Sequence, residues 1–292
     1  MRLLRHLASL PPRETLRLVR RRLPVLRNAP PWTAADLLAS VKHRQGVRFA
    51  ELLLRQEAIL TRETNWKPLD FEAVRVVEIG CGPLAGYGPL AVFRGAASYE
   101  SAEPEWDPDL FTGGKIAQEY LYPLHADFCA LYGPRMDFET FRTALREKIA
   151  VHCSGFEAAP IGGQADIVLS QSCMEHVFPL EATIDKLAEI QTPQTRFLHL
   201  VDFGNHYLTP SPFEGLYEQP PEAYIARRGK AINMLRSSDI LTLFENSGIP
   251  ARMIPSRVVP DAYSGTIHAW WRERYDDEAL FTQLALVAST GE

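Results

Sequence analysis

The sequence predicts an α/β fold: a doubly wound, mostly parallel sheet preceded by N-terminal helices. Three observations carry this expectation. A β-branched run from Val74 to Ile79 stops at a loop holding Gly80, Gly82, Gly86 and Gly88, and Pro89-Leu-Ala-Val-Phe then starts a helix. Further short apolar runs downstream alternate with helical patterns, as strands and crossovers of a parallel sheet do. Two last runs, residues 252–259 and 283–288, close the chain around a helical pattern at 267–277.

Composition bounds the function. With 292 residues, 46% of them hydrophobic, the chain suits one large domain or a domain with an appendage. We expect a helical arm or lid over 1–70 and the sheet domain over 71–292, with a helical insertion at about 107–148. A net charge of −5 disfavours a nucleic-acid binder. No apolar run reaches the roughly 18 residues that span a bilayer. Cys81, Cys129, Cys153 and Cys173 form no C-x-x-C pair, so neither a disulfide framework nor a structural zinc site is expected. Buried, reduced thiols and a cytoplasmic location are.

Residues 1–27 carry eight arginines against one glutamate, a local +7 that leaves −12 on the rest of a chain whose net charge is −5. Leucines recur there at helical spacing. The segment reads as an arm folded on its own domain, with contact to an anionic membrane surface or a partner helix as the alternatives. Thr33 is placed to cap a following helix. A second helix is expected at 49–61, with Leu52, Leu53 and Ile59 on one face.

The glycine loop has the spacing G-x-G-x-x-x-G, one residue longer than the dinucleotide fingerprint. With the acid before it, Glu78-Ile-Gly80-Cys-Gly82 resembles the first motif of the class I S-adenosylmethionine-dependent methyltransferases; the resemblance implies a Rossmann-like, doubly wound sheet of seven strands, mostly parallel with a final antiparallel strand. The family often has a third glycine where this chain has Leu84. The resemblance implies that Glu78, Gly80, Cys81 and Gly82 bind the cofactor, S-adenosyl-L-methionine. The run 97–104 reads as the second strand, and the resemblance puts the ribose-binding acid at Glu103, 23 residues after Gly80; Glu100 competes from within the strand. Trp106 either covers the adenine or packs. After the third strand, 149–154, the resemblance implies contact with the adenine edge from Cys153 and Ser154, through backbone.

Asp166-Ile-Val-Leu-Ser-Gln-Ser-Cys-Met-Glu-His176 resembles the family's fourth motif, with a strand at 165–169 and Gln171 and Ser172 nearest the methionine moiety. Glu175 and His176 are expected to open the next helix. After the fifth strand, 196–203, Asp202, His206 and Tyr207 stand where a substrate hydroxyl or amine should arrive. His206 and His176 are the candidate bases, with Asp202 as base or orienter. His199, Asp202 and His206 are weakly diagnostic of a metal, and none is expected. The proline-rich stretch 209–221 is an irregular excursion placed to close over substrate, and Ser237 or Ser238 caps a helix that Gly248 ends.

The expected activity is methyl transfer to a hydroxyl or amine of a small molecule or glycan. Two alternatives stand beside it. One is an S-adenosylmethionine-consuming enzyme of the same fold that performs intramolecular alkyl transfer or elimination. The other is a non-catalytic binding module working through the basic arm.

Overall fold

The computed structural model describes residues 47–104, 106, 108, 111, 117–206, 209 and 211–290. The Arg-rich segment, the Thr33 helix and Tyr207 lie outside the described residues. Seven strands form one sheet: β1 Arg75–Ile79, β2 Ser98–Ala102, β3 Ile149–His152, β4 Ile167–Gln171, β5 Arg196–Asp202, β6 Ala251–Val258 and β7 Thr282–Ser289. Their order is β3-β2-β1-β4-β5-β7-β6. β1–β2, β2–β3 and β4–β5 pair in parallel, and β7 runs antiparallel to both β5 and β6. The described residues fall into two compact units. One holds those up to Arg55 together with Asp70–Gly155; the other holds Gln56–Leu69 and Phe156–Glu292.

In the first unit, β1 is buried along almost its whole length because Val76, Val77 and Ile79 are apolar on both faces. Helix α2, Gly88–Phe93, is fully buried behind it. The 107–148 insertion supplies α3, Tyr122–Tyr132, and α4, Phe138–Lys148, after a π-helical turn at Ala117–Leu121. Asp137 caps α4 by accepting the Thr140 N–H at 2.8 Å. Phe128 and Phe141 pack on Phe93, with ring centroids 5.4 and 5.9 Å away. The two insertion helices are thus a packed layer.

Helix α1, Arg48–Glu63, buries Ala50, Leu53, Gln56, Glu57 and Leu60, while Leu52 and Ile59 are only half-buried. The expected face is therefore shifted, because two polar residues have bonds to make there. Glu57 accepts the Leu69 N–H, and the Gln56 amide donates to Gln171 Oε1 at 2.7 Å. Trp66 is buried under the Arg196 guanidinium, 4.0 Å from its ring centroid, which makes it a packing residue.

Two further expectations in the second unit are corrected. The helix expected at 267–277 is two short ones, α8 Ala269–Arg272 and α9 Asp277–Phe281, because Asp276 caps a new start by accepting the Ala279 N–H. The helix Ser237–Asn246 (α7) begins at Ser237 itself, so neither serine caps it. Arg236 is the N-cap residue, and its N–H donates to Asp239 Oδ2 at 2.7 Å. The proline-rich excursion is irregular, as expected, and it is anchored: Phe213, Leu216 and Tyr217 are fully buried in a cluster with Tyr224, Trp271, Leu280 and Phe281. The buried Arg236 guanidinium donates from one nitrogen to the Phe203 carbonyl and the Tyr217 hydroxyl, both at 3.0 Å.

Candidate functional site

In the first unit the site is a loop shaped by one buried acid. Gly80, Gly82, Ala85 and Gly86 all take positive φ, at 69, 66, 60 and 47°. The turn therefore places its left-handed residues at 82, 85 and 86, and Leu84 is free to be a buried side chain. That removes the need for a glycine at Leu84. Glu78 lies under this turn with no exposed surface, accepting the Tyr87 N–H at 2.8 Å and the Tyr99 hydroxyl at 2.7 Å through Oε2. Its Oε1 is buried without a hydrogen bond. Burial outweighs the two hydrogen bonds and pushes the carboxyl up to about 8. Cys81 is buried beside it, and burial pushes that thiol up as well. The expectation of buried thiols holds for Cys81 only: Cys153 is exposed, and Cys129 and Cys173 are half-buried.

A carboxyl whose folded pKa lies above its unfolded value keeps a proton that the unfolded chain has released. The stability tied to Glu78 is then present below about pH 4.5 and is lost as pH rises towards 8. Glu78→Gln is expected to gain on wild type by a few kcal/mol between pH 5 and 8, at roughly 1.4 kcal/mol per pH unit as an upper limit. Urea unfolding at pH 5, 6.5 and 8 reads this. Parallel profiles for the two proteins would refute it.

Glu103 follows β2 directly, and its Oε2 accepts the Gly82 N–H at 2.7 Å. The Gly80 N–H donates to the Ala102 carbonyl at 3.2 Å, so the loop is tied to the end of β2 twice. Glu100 is engaged elsewhere: it pairs with Arg75 at 2.6 Å and His152 at 2.8 Å. Between the two acids, then, Glu103 is the one at the loop. The exposed Cys153 and half-buried Ser154 follow β3, where the Ser154 N–H donates to the His152 carbonyl at 2.9 Å. Trp106 packs on Phe111, with centroids 5.7 Å apart.

In the second unit, β4 ends at Gln171, two residues later than expected, and Asp166 precedes it. Ser172 leaves the strand at φ 48°, a conformation uncommon for a residue with a Cβ. A single 3₁₀ turn, Met174–His176, comes next, and helix α5, Leu180–Ile190, starts only after Pro179. The Glu175–His176 pair therefore does not open a helix. Glu175 instead points into the protein, 3% exposed, where Oε1 accepts the Asp202 N–H at 3.3 Å and Oε2 has no hydrogen bond. Burial first, and the Asp202 charge after it, push this carboxyl up to about 8.

His206, at φ 56°, returns the chain to that acid. Its Nε2 lies 3.2 Å from the Asp202 carbonyl, 3.8 Å from Glu175 Oε1 and 3.9 Å from Asp202 Oδ2. His176 stands edge-on to it, with ring centroids 4.7 Å apart. His176 Nδ1 is 2.6 Å from the Ala231 carbonyl, which makes Nδ1 the protonated nitrogen and leaves the lone pair on Nε2. Asn233 braces the turn, donating from its side chain to the Met174 carbonyl at 2.8 Å and from its backbone to the Glu175 carbonyl at 2.8 Å.

Of the residues expected to do chemistry, the structure brings together His176, Asp202 and His206. It adds Glu175, which the sequence marked only as half of a pair. His199 does not join them: it is fully buried in β5, 2.9 Å from the Ser170 hydroxyl and stacked on Phe197. Burial holds its imidazole down at about 3, hence neutral. Among the described residues, the group whose ligand atoms lie within 4.8 Å of one another is Glu175, His176 and His206, a different trio from His199, Asp202 and His206. Gln56, the partner of Gln171, was not foreseen, since nothing local distinguishes it from a solvated glutamine.

No protein-family model matches the sequence, and no curated protein does. Among solved structures the chain is similar to a chain in a complex between a Haloferax volcanii methyltransferase activator and a protein described as a methyltransferase. The identity is 13% and the TM-score 0.47, over 91% of this chain and 100% of that one. It is also similar to a geranyl diphosphate methyltransferase in complex with S-adenosylmethionine, at 13% identity and TM-score 0.44 over 88% and 89% of the two chains. A third is an S-adenosylmethionine-dependent methyltransferase from Mesorhizobium loti, at 13% identity and TM-score 0.42 over 76% and 92%. The strand order β3-β2-β1-β4-β5-β7-β6, with β7 alone antiparallel, gives this chain the Rossmann-like fold of the class I S-adenosylmethionine-dependent methyltransferases.

Proposed function

We propose that this chain is an S-adenosylmethionine-dependent methyltransferase acting on a hydroxyl or amine of a small molecule or glycan. The observation that carries the reading is the Glu103 carboxylate bonded to the Gly82 N–H at the end of β2. It puts a two-oxygen acceptor, suited to a ribose diol, beside a glycine backbone. The residues fit such a ligand: at Gly82 nothing lies within 4 Å of where a Cβ would stand, so the backbone there is open to close approach. Glu78 and Cys81, both buried, serve by shaping the loop. Gly80 and Gly82, with Cys153 and Ser154, offer backbone groups to the nucleoside. In the second unit, Gln171 and Ser172 are proposed for the methionine end.

When bound, the sulfonium supplies an electrophilic methyl on a good leaving group. The chain's part is to orient the acceptor and take its proton. His206 is proposed as the base, with Asp202 and Glu175 beside its Nε2. His176 flanks it.

Calorimetric titration with S-adenosylmethionine and S-adenosylhomocysteine tests the reading. Micromolar binding is expected, weakened about 30-fold or more in Glu103→Ala, a loss of roughly 2 kcal/mol. Wild-type protein that binds neither compound at millimolar concentration would exclude it.

A further inference from the structure

We propose that Glu175, His176 and His206 form a binding site for one divalent first-row transition ion of the zinc or iron(II) class. Three features point to it. The ligand atoms of an acid and two imidazoles lie within 4.8 Å of one another, although they come from a 3₁₀ turn and from a loop 30 residues later. Small movements would close that span on one ion. The second feature is His176, whose Nδ1 is held by the Ala231 carbonyl at 2.6 Å. A hydrogen bond of this kind fixes the ring and presents the Nε2 lone pair, as metal-bound histidines require. The third is Glu175 Oε2, an acidic oxygen buried without a hydrogen bond in a residue only 3% exposed. A buried carboxylate oxygen with no donor is costly, and a cation satisfies it directly.

The donor set selects the ion. Two imidazoles and one carboxylate suit zinc, iron(II) or cobalt(II); magnesium and calcium prefer all-oxygen shells. Three protein ligands leave at least one coordination position for water or an acceptor oxygen. Asp202 stands behind the trio, its backbone N–H on Glu175 Oε1 and its carboxylate 3.9 Å from His206. The backbone at His206 is left-handed, at φ 56°, and that conformation turns its ring back onto Glu175 and His176. The site does not depend on methyl transfer. With an ion present, His206 would be a ligand in place of a base, and the ion would lower the pKa of an acceptor hydroxyl.

Full-length protein stripped with chelator and titrated with cobalt(II) chloride tests this. One saturable site is expected, with visible absorption bands of low-symmetry cobalt, and zinc chloride should displace the cobalt while magnesium chloride should not. His176→Ala, which alters an exposed side chain, should weaken cobalt binding at least tenfold with the circular dichroism spectrum unchanged. His206→Ala should do the same. Absence of saturable binding at millimolar cobalt, or an affinity in both variants equal to that of wild type, would overturn the site. S-adenosylmethionine titrated into the same preparations keeps the two readings apart. Metal binding without cofactor binding would leave the ion site standing and remove the methyltransferase; the converse would do the opposite.

Discussion

Gly86→Ala is expected to destabilise the protein by roughly 3–5 kcal/mol, among the largest effects a single methyl group produces. Gly86 sits at φ 47°, and a Cβ there would lie 2.3 Å from Glu78 Oε1 and 2.6 Å from Oε2. The backbone conformation alone costs an alanine on the order of 1 kcal/mol. The rest comes from the carboxylate, which has nowhere to go: it is buried, and its Oε2 is bonded to Tyr87 and Tyr99. Urea unfolding measures the loss, and a double-mutant cycle identifies its source. In a Glu78→Ala background the clash is absent, so Gly86→Ala should then cost only the conformational part. Additive losses would show that the acid is not what excludes the methyl.

Trp271→Ala is the second large effect, at about 3–5 kcal/mol. Trp271 is fully buried in the cluster beneath the proline-rich excursion, with ring centroids of Tyr217, Trp270 and Tyr275 at 5.1, 4.8 and 5.6 Å. Its indole N–H donates to the Gln219 carbonyl at 2.8 Å. Truncation therefore opens a cavity and strands an acceptor in one step. Trp271→Phe should recover more than half of the loss, because most of it is volume. Trp270→Ala, half-buried next door, should cost well under half as much. Chemical unfolding ranks the three, and equal costs for Trp270 and Trp271 would mean that the cluster is not the source.

Much of this was legible in the chain. Strand, glycine loop and helix at 74–93 could be read because a β-branched run ending in glycines has few other solutions. Glu103 could be set beside the glycine loop, ahead of Glu100, because it falls at the end of the second strand run and Glu100 lies within it. What could not be read was set by tertiary contacts. The helical apolar pattern of α1 pointed to Leu52, Leu53 and Ile59, of which Leu53 is buried, and only the distant partners Leu69 and Gln171 explain why Glu57 and Gln56 are buried ahead of the other two. The Glu175–His176 pair looked like a helix start because acids favour that position. The 3₁₀ turn braced by Asn233, 58 residues downstream of Glu175, sends the acid inward. The excursion at 209–221 was rich in prolines, which signal irregular backbone and say nothing about burial. Its three apolar anchors became meaningful only once Trp271 and Phe281 were in place beside them.

Arg236 joins the loop that bears His206 to the excursion. One guanidinium nitrogen holds the Phe203 carbonyl and the Tyr217 hydroxyl, and the Asn205 N–H reaches the Pro212 carbonyl at 2.6 Å. Amides at 203–205 therefore cannot open to solvent without breaking into a cluster of buried aromatics. Segments so linked unfold together as one cooperative unit, not as a fraying loop. Residues 203–205, just after β5, draw their order from the aromatic cluster, and the adjacent His206 inherits a rigidity that its own neighbours in sequence do not supply.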